Sequence, residues 1–552
     1  MKPSRKTVGL STCVAIVMAL SLTCSARSEE TPDFGAAIDT IFQEWNKQES
    51  PGCAVGIQRA DTPFLIRTYG SADLEHGVPI DAATVFEAGS IAKQFTAASV
   101  LMLVEQKKLS LIDDVRKFIP ELPDYGTAIT IGELLGHTSG LRDWGIVEAM
   151  AGWPRTTRFY TLGDVLSIAA RQKALNYRPG TVYSYTNTGF NLLAIIVERV
   201  GKVTLAQFSH EHLFVPLGMV HTQWRDDYRR VVKNRAVAYD IGEKGIEQDM
   251  PFENAYGNGG LLTTVSDLLR WNEALTAGEL GSFVTTELQR QATLADGRPI
   301  AYARGLFVRN DRGVREFSHP GVTAGYRAWL GRYPDQRLSI AILCNANNVH
   351  LESLHNVVAD LFLPKIPVPT AIPLTADQVA RREGLFVDAR MGLPMRLKAH
   401  DKMLVLLDGK PLVAVSPDEF RTNNFSLHFN GDDRFVLDGG DGDPVEYQRR
   451  QPWRPDRPQL LSFSGRYTSD EALASFRIAL DGDQLVLTPA DRPGAALVLT
   501  PLYADTFEMK ELEGVIHFNR DSNGKITGFE MSAARVRALG AVRMIDDLQS
   551  HQ

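Results

Sequence analysis

Between residues 91 and 106 apolar side chains fall on nearly every side of a helical projection, and good helix formers fill the run. That pattern predicts a helix buried all round rather than one with a solvent face. Gly89 stands just before the run and places its start at Ser90. Other stretches alternate. Residues 54–57 and 64–66 read as strands of a hairpin around a turn at 58–63, and residues 327–333 and 338–344 as a second pair joined by Pro334-Asp335-Gln336-Arg337. Thr130 is placed to cap a short apolar helix that stops at Thr138-Ser139-Gly140, and residues 191–200 read as an apolar helix closed by Gly201. The glycine-rich turn 257–260 enters a further helix capped at Thr264 or Ser266. Strands and helices mixed in this way predict an α/β region that ends near Phe362.

Beyond it the pattern changes. Residues 363–373 hold four prolines and read as a stiff linker. The remaining chain shows short alternating strands, Asp-Gly turns and few helices, and it repeats itself. Residues 374–378 lead to Gly384-Leu385-Phe386, and residues 460–463 lead to Gly465-Arg466-Tyr467. Two tandem units of about eighty to ninety residues, each a small antiparallel barrel, fit the repeat. The acidic run 438–443 lacks calcium-loop spacing and reads as turn residues.

The 552 residues are 44% hydrophobic and 23% charged, with a formal charge of −7. Such a balance gives no reason to expect nucleic acid or an acidic membrane as partner. Residues 1–26 read as a signal peptide: Lys2, Arg5 and Lys6, the apolar run 8–22, then small residues ending at Ala26. This predicts a periplasmic or secreted protein with no stable membrane insertion after cleavage. Of four cysteines, Cys13 and Cys24 lie in that segment, which leaves Cys53 and Cys344 in an oxidising setting.

The chemistry concentrates at the helix start. Ser90 and Lys93 sit one turn apart on the same face, and unpaired backbone N–H groups of the first turn lie beside the hydroxyl, where an anion can develop. A neutral serine needs a base, and a desolvated Lys93 amine is one. Alone the spacing is weak evidence, since composition supplies roughly one or two Ser-x-x-Lys matches in a chain of this length. Tyr185 and Asn187 share a polar loop at a helix entry, expected to be exposed. His137, at a helix end, reads as a backbone-bonding residue, and His210-Glu211-His212 as a solvated face without a third metal ligand. No cofactor or metal is implied.

In chain order, Ser90-x-x-Lys93, Tyr185-x-Asn187 and His319-x-Gly321 resemble the three motifs of the serine β-lactamase and penicillin-recognising superfamily, within it the class C β-lactamase, D-aminopeptidase and esterase family. The text at 134–141, 179–181, 214–219 and 259–264 agrees, and the likeness runs from about Phe34 to Phe362. A second Tyr-x-Asn, Tyr256-Gly257-Asn258, is read as part of the glycine-rich turn. The resemblance implies a sandwich of the β-lactamase/transpeptidase type over residues 34–363, with a central antiparallel sheet and a helical subdomain. A linker at 364–373 and two lipocalin-like barrels at 374–452 and 456–547 follow. It implies Ser90 as nucleophile, Lys93 and Tyr185 as the groups that move its proton, and Asn187 as a substrate-orienting amide. His319 and Gly321 would lie at the substrate, and the N–H groups of Ser90 and Val322 would form an oxyanion hole. Which of Lys93 and Tyr185 is the base stays open. It also implies that the first and last strands of the sandwich pair, which brings Cys53 to Cys344.

Where β-lactamases carry Lys-Thr-Gly this chain has His319-Pro320-Gly321, so the fixed cation facing a substrate carboxylate is missing. That weakens β-lactamase activity and favours D-aminopeptidase-like or D-amino-acid peptide hydrolysis. A carboxylesterase with the same residues, and a silent module that binds cell-wall peptides, are the competing readings. Expected partners are small peptides, amides or esters, cell-wall peptides among them; a homo-oligomer is left open. Recognition of an α-ammonium would need a carboxylate at the cleft, for which the turn at Asp491 is the candidate.

Overall fold

The computed structural model describes residues 33–544 except 61, 311, 367, 368 and 423. The signal-peptide reading lies outside the described residues. At the centre is a six-stranded antiparallel sheet in the order Phe307–Arg309, Glu316–Thr323, Tyr326–Tyr333, Leu338–Cys344, Cys53–Arg59, Leu65–Tyr69. The first and last long strands pair in register, Cys53 opposite Cys344 and Val55 opposite Ile342, and the two cysteines are disulfide-bonded.

Side chains of a strand alternate between faces, and here both faces are buried. Val55, Ile57, Ile340 and Ile342 pack with Ile38 and Val358 of the terminal helices Phe34–Ile41 and Leu351–Ala359. Ala54, Ala341 and Leu343 pack on the other side, with Val265 and Leu269 of helix Val265–Ala277 and with helix Ala92–Glu105. This explains why strand Leu338–Cys344 is buried at every position instead of alternating with polar residues. Helix Ala92–Glu105 is buried nearly all round, as its pattern predicts. Beside it, helices Ile131–Leu135, Trp144–Met150, Leu162–Arg171 and Asn187–Gly201 form the helical part of the sandwich. Among the described residues no helix is long and apolar enough to cross a membrane.

Two closed eight-stranded antiparallel barrels follow, built on strands from Gly384 to Arg450 and from Gly465 to Arg543. Their repetition extends to details. Each is entered by a short helix with a capping box, Thr375 with Gln378 and Asp456 with Gln459. In each, an arginine near the last strand's end, Arg449 or Arg543, bonds backbone carbonyls of the entry segment. The barrels meet through Leu385, Val387, Leu502 and Val515 and the Arg396–Glu508 ion pair at 2.7 Å.

Both barrels grip the sandwich near the cleft. The acidic run of the first does more than turn the chain: Asp443 accepts from the Tyr183 N–H at 2.9 Å, and the Asp441 carbonyl accepts from Ala301 N at 2.7 Å. The second barrel is held by a buried ion pair, Arg142 Nη1 to Glu471 Oε1 at 2.5 Å, and by Arg142 bonds to the carbonyls of Arg537 and Ala538.

Candidate active site

Strand Phe86–Glu87 pairs with Leu261–Thr263 and delivers the chain to a single 3₁₀ turn, Gly89–Ile91, from which the α-helix continues at Ala92. The helix therefore starts two residues later than its pattern predicts, and Ser90 lies in the tight turn. The cause is backbone crowding. Gly89 takes a φ of 51°, and a Cβ there would stand 2.7 Å from Val322 N; a Cβ at Gly321 would stand 2.1 Å from the Ala88 carbonyl oxygen. Only two glycines permit this approach, which sets the Val322 backbone nitrogen against the turn bearing Ser90.

Lys93 is fully buried, and its Nζ lies 2.9 Å from Ser90 Oγ, 3.0 Å from Asn187 Oδ1 and 2.8 Å from the Asn258 carbonyl. The rings of Tyr185 and Phe190 cover it at 4.8 and 5.6 Å. Burial, helped by the nearby Arg535 cation, pushes its pKa well below the ordinary lysine value, and Asp143 opposes this only in part. A neutral amine has two hydrogens and one lone pair. In that form the two carbonyl oxygens can take the hydrogens, which leaves the lone pair for the Ser90 hydroxyl.

The Tyr185 hydroxyl also interacts with the Ser90 side chain. Burial pushes its phenol up to about 12, against the pull of the Ser90 bond and of Arg535. The ring of His137 packs on it with centroids 4.1 Å apart, and His137 Nδ1 accepts from the Thr186 N–H at 3.2 Å. His137 does bond backbone, and it also walls the tyrosine.

Asn187 is buried and opens helix Asn187–Gly201, which begins four residues before the predicted start. The expected exposed loop is absent at this residue. Thr186 provides no side-chain cap; instead Asp143 Oδ2 accepts from the Asn187 N–H at 2.7 Å, from a loop distant in sequence. A cap supplied across space leaves no local signal.

His319, predicted at the substrate, is 1% exposed; its Nδ1 lies 2.6 Å from the Pro320 carbonyl and its Nε2 3.2 Å from the Tyr302 hydroxyl. Nδ1 therefore carries the hydrogen and Nε2 accepts. Burial first, and then Lys93, depress its pKa to about 3, so His319 is neutral. It is no substitute for a lysine cation. Val322 is 61% exposed at the end of the same strand.

Three participants had not been singled out from the sequence, and a fourth, Asn258, had been read only as part of a turn. The Asn258 carbonyl comes from the glycine-rich turn, so the second Tyr-x-Asn lies against Lys93 after all, through its backbone. Asp143 and Tyr302 hold Asn187 and His319, and Arg535 reaches in from the second barrel. Nothing local marks any of them. The Asp491 turn goes elsewhere: Arg492 bonds the Gly152 carbonyl at 3.0 Å, and Asp491 lines a cavity of about 400 Å³ with Glu148, Arg158, Tyr160 and Arg171. Among the described residues, ligand atoms spaced for a metal occur at Asp73, Glu75 and His76, on a solvent-facing turn.

The sandwich, the barrels and this cluster define a β-lactamase/transpeptidase-like protein, and the chain belongs to the Beta-lactamase family, which matches residues 37–361. It is similar to protein flp of Staphylococcus aureus (strain MW2), 27% identical over 336 residues, 59% of this chain and 66% of that protein. The chain thus spans just under two thirds of that relative's length. Similarity to the D-aminopeptidase of Brucella anthropi runs further, 24% over 518 residues, 89% of this chain and 95% of that one. In structure the fold is like that of the octameric penicillin-binding protein homologue from Pyrococcus abyssi, with a TM-score of 0.54, 22% identity, and coverage of 75% of this chain and 100% of that one.

Proposed function

We propose that the protein is a serine hydrolase that cleaves small amide or peptide bonds through an acyl-enzyme on Ser90, with D-amino-acid peptides as its substrate class. One observation carries the reading: a buried Lys93 amine, its pKa pushed well below the ordinary lysine value, 2.9 Å from Ser90 Oγ, with the Asn187 and Asn258 oxygens placed to accept two of its hydrogens. Lys93 then takes the Ser90 proton as Oγ attacks the carbonyl carbon, and the Tyr185 hydroxyl gives its proton to the leaving amine and is reprotonated by the Lys93 ammonium. The oxyanion sits between the N–H groups of Ser90 and Val322, where each donor typically contributes about 3 kcal/mol. Water resolves the ester by the reverse proton path. The neutral His319 and the end-to-end likeness to a D-aminopeptidase support amides over β-lactams. Export, for which the Cys53–Cys344 disulfide is consistent support, belongs to the same proposal.

Intact mass after a fluorophosphonate, and separately after benzylpenicillin, tests it. A single adduct lost in Ser90→Ala is expected with the fluorophosphonate. A folded wild type that takes no adduct from either reagent turns the reading toward a silent binding module.

A further inference from the structure

The last hairpin of the second barrel, Ile526–Ala533 with Val536–Arg543, turns through Ala534 and Arg535, and its tip rests at the candidate active site. The tip is fixed by backbone. The Arg535 carbonyl accepts from Asp143 N at 3.2 Å and from Asn176 Nδ2 at 2.8 Å, and Arg537 N donates to Asn176 Oδ1 at 2.8 Å. The side chain does not take part in this pinning. Its guanidinium carbon lies 4.6 Å from the centre of the Tyr185 ring, and Nη1 is 4.0 Å from Asp143 Oδ2. Asp143 is already committed, accepting from the N–H groups of Gly145, Ile146 and Asn187. Among the described residues the Arg535 guanidinium donates no hydrogen bond, and the side chain is 41% exposed. A planar cation with its donors unused, held over the same tyrosine ring that covers Lys93, is built to receive an anion.

We propose that Arg535 is the specificity residue for a substrate carboxylate, so that the preferred substrate is a D-amino-acid peptide with a free carboxylate beside the scissile amide. The inference rests on the Ser90 acyl-enzyme reading and departs from it in one respect: a cation at this place disfavours a free α-ammonium. The carboxylate-reading charge that the third motif lacks would thus come from a different domain.

The test uses the full chain and N-acetyl-D-alanyl-D-alanine, its C-terminal amide, and D-alaninamide. Each competes against fluorophosphonate labelling of Ser90, in wild type, Arg535→Gln and Arg535→Lys. The free acid is expected to protect wild type at concentrations about ten- to a hundredfold below the amide, the range for a hydrogen-bonded charge. In Arg535→Gln that ratio falls toward one, and Arg535→Lys restores part of it. Equal protection by acid and amide in wild type, better protection by D-alaninamide, or an unchanged ratio in Arg535→Gln overturns the assignment while labelling continues. Absence of labelling in wild type instead removes the acyl-enzyme reading, and this inference with it.

Discussion

Two groups near Ser90 could move its proton, and the pair is separated by environment rather than by residue type. Burial drives both toward their neutral forms, which makes Lys93 a base and Tyr185 a poor one at neutral pH. The acid limb of Ser90 acylation is accordingly expected to lie well below 10.5, the ordinary lysine value. A profile that rises only toward the Tyr185 value of about 12 would assign the base to the phenol. Lys93→Met should slow fluorophosphonate labelling by about 10²–10⁴ with the fold retained. His319, neutral down to about pH 3, should add no limb near 6.5, and an inflection there abolished by His319→Gln would contradict its burial. At this scale the sequence was informative where chemistry needs close spacing. Ser90 with Lys93 and Tyr185 with Asn187 are each neighbours in the chain, whereas Asp143, Asn258 and Arg535 act through backbone groups or across domains and leave no local pattern.

The elements were legible for a related reason. A helix buried all round and strands buried on both faces are long apolar runs, and the runs at 91–106 and 338–344 became helix Ala92–Glu105 and strand Leu338–Cys344. Their ends were harder to read, because tertiary contacts set them: Asp143 starts one helix early and the Gly89–Val322 approach starts another late. Strand Phe86–Glu87, which feeds the nucleophile turn, depends on a buried ion pair. Glu87 and Arg225 are almost wholly buried at 2.7 Å, with Arg235 at 3.6 Å. Burial alone would raise the Glu87 pKa, but Arg225 and Arg235 outweigh it and hold the carboxylate below its ordinary 4.5. Its share of stability is therefore complete above that value and lost as pH falls through the lower folded value. Glu87→Gln strands Arg225 without its charge and should cost about 3–5 kcal/mol in denaturant unfolding at pH 7, with a smaller deficit against wild type in acid. A deficit independent of pH would show that shape rather than charge holds this strand. Gly321→Ala should reduce labelling further than it reduces stability, since its Cβ meets the Ala88 carbonyl beside Ser90.

Across the whole molecule, the repeat and the Asp-Gly turns announced two barrels, but their docking could not be read, because it rests on side chains that look like ordinary surface charge in sequence. Arg142 and Glu471 are 2% and 11% exposed only because the domains meet. Their pair fixes the barrel that carries Arg535, and Arg535 is, after burial, the strongest influence that depresses the Lys93 pKa. Loosening the second barrel should thus be felt at the base. Glu471→Gln leaves a buried arginine uncompensated at the interface and should cost about 3–5 kcal/mol of the docked state. With the cation withdrawn, the Lys93 pKa rises, so the acid limb of Ser90 acylation moves to higher pH and labelling at neutral pH slows. Arg535→Gln should move the limb in the same direction without loosening the barrel, which limited proteolysis of the two variants distinguishes. A limb that stays fixed in both variants would mean that burial alone tunes Lys93 and that the second barrel serves the site only by shaping what enters it.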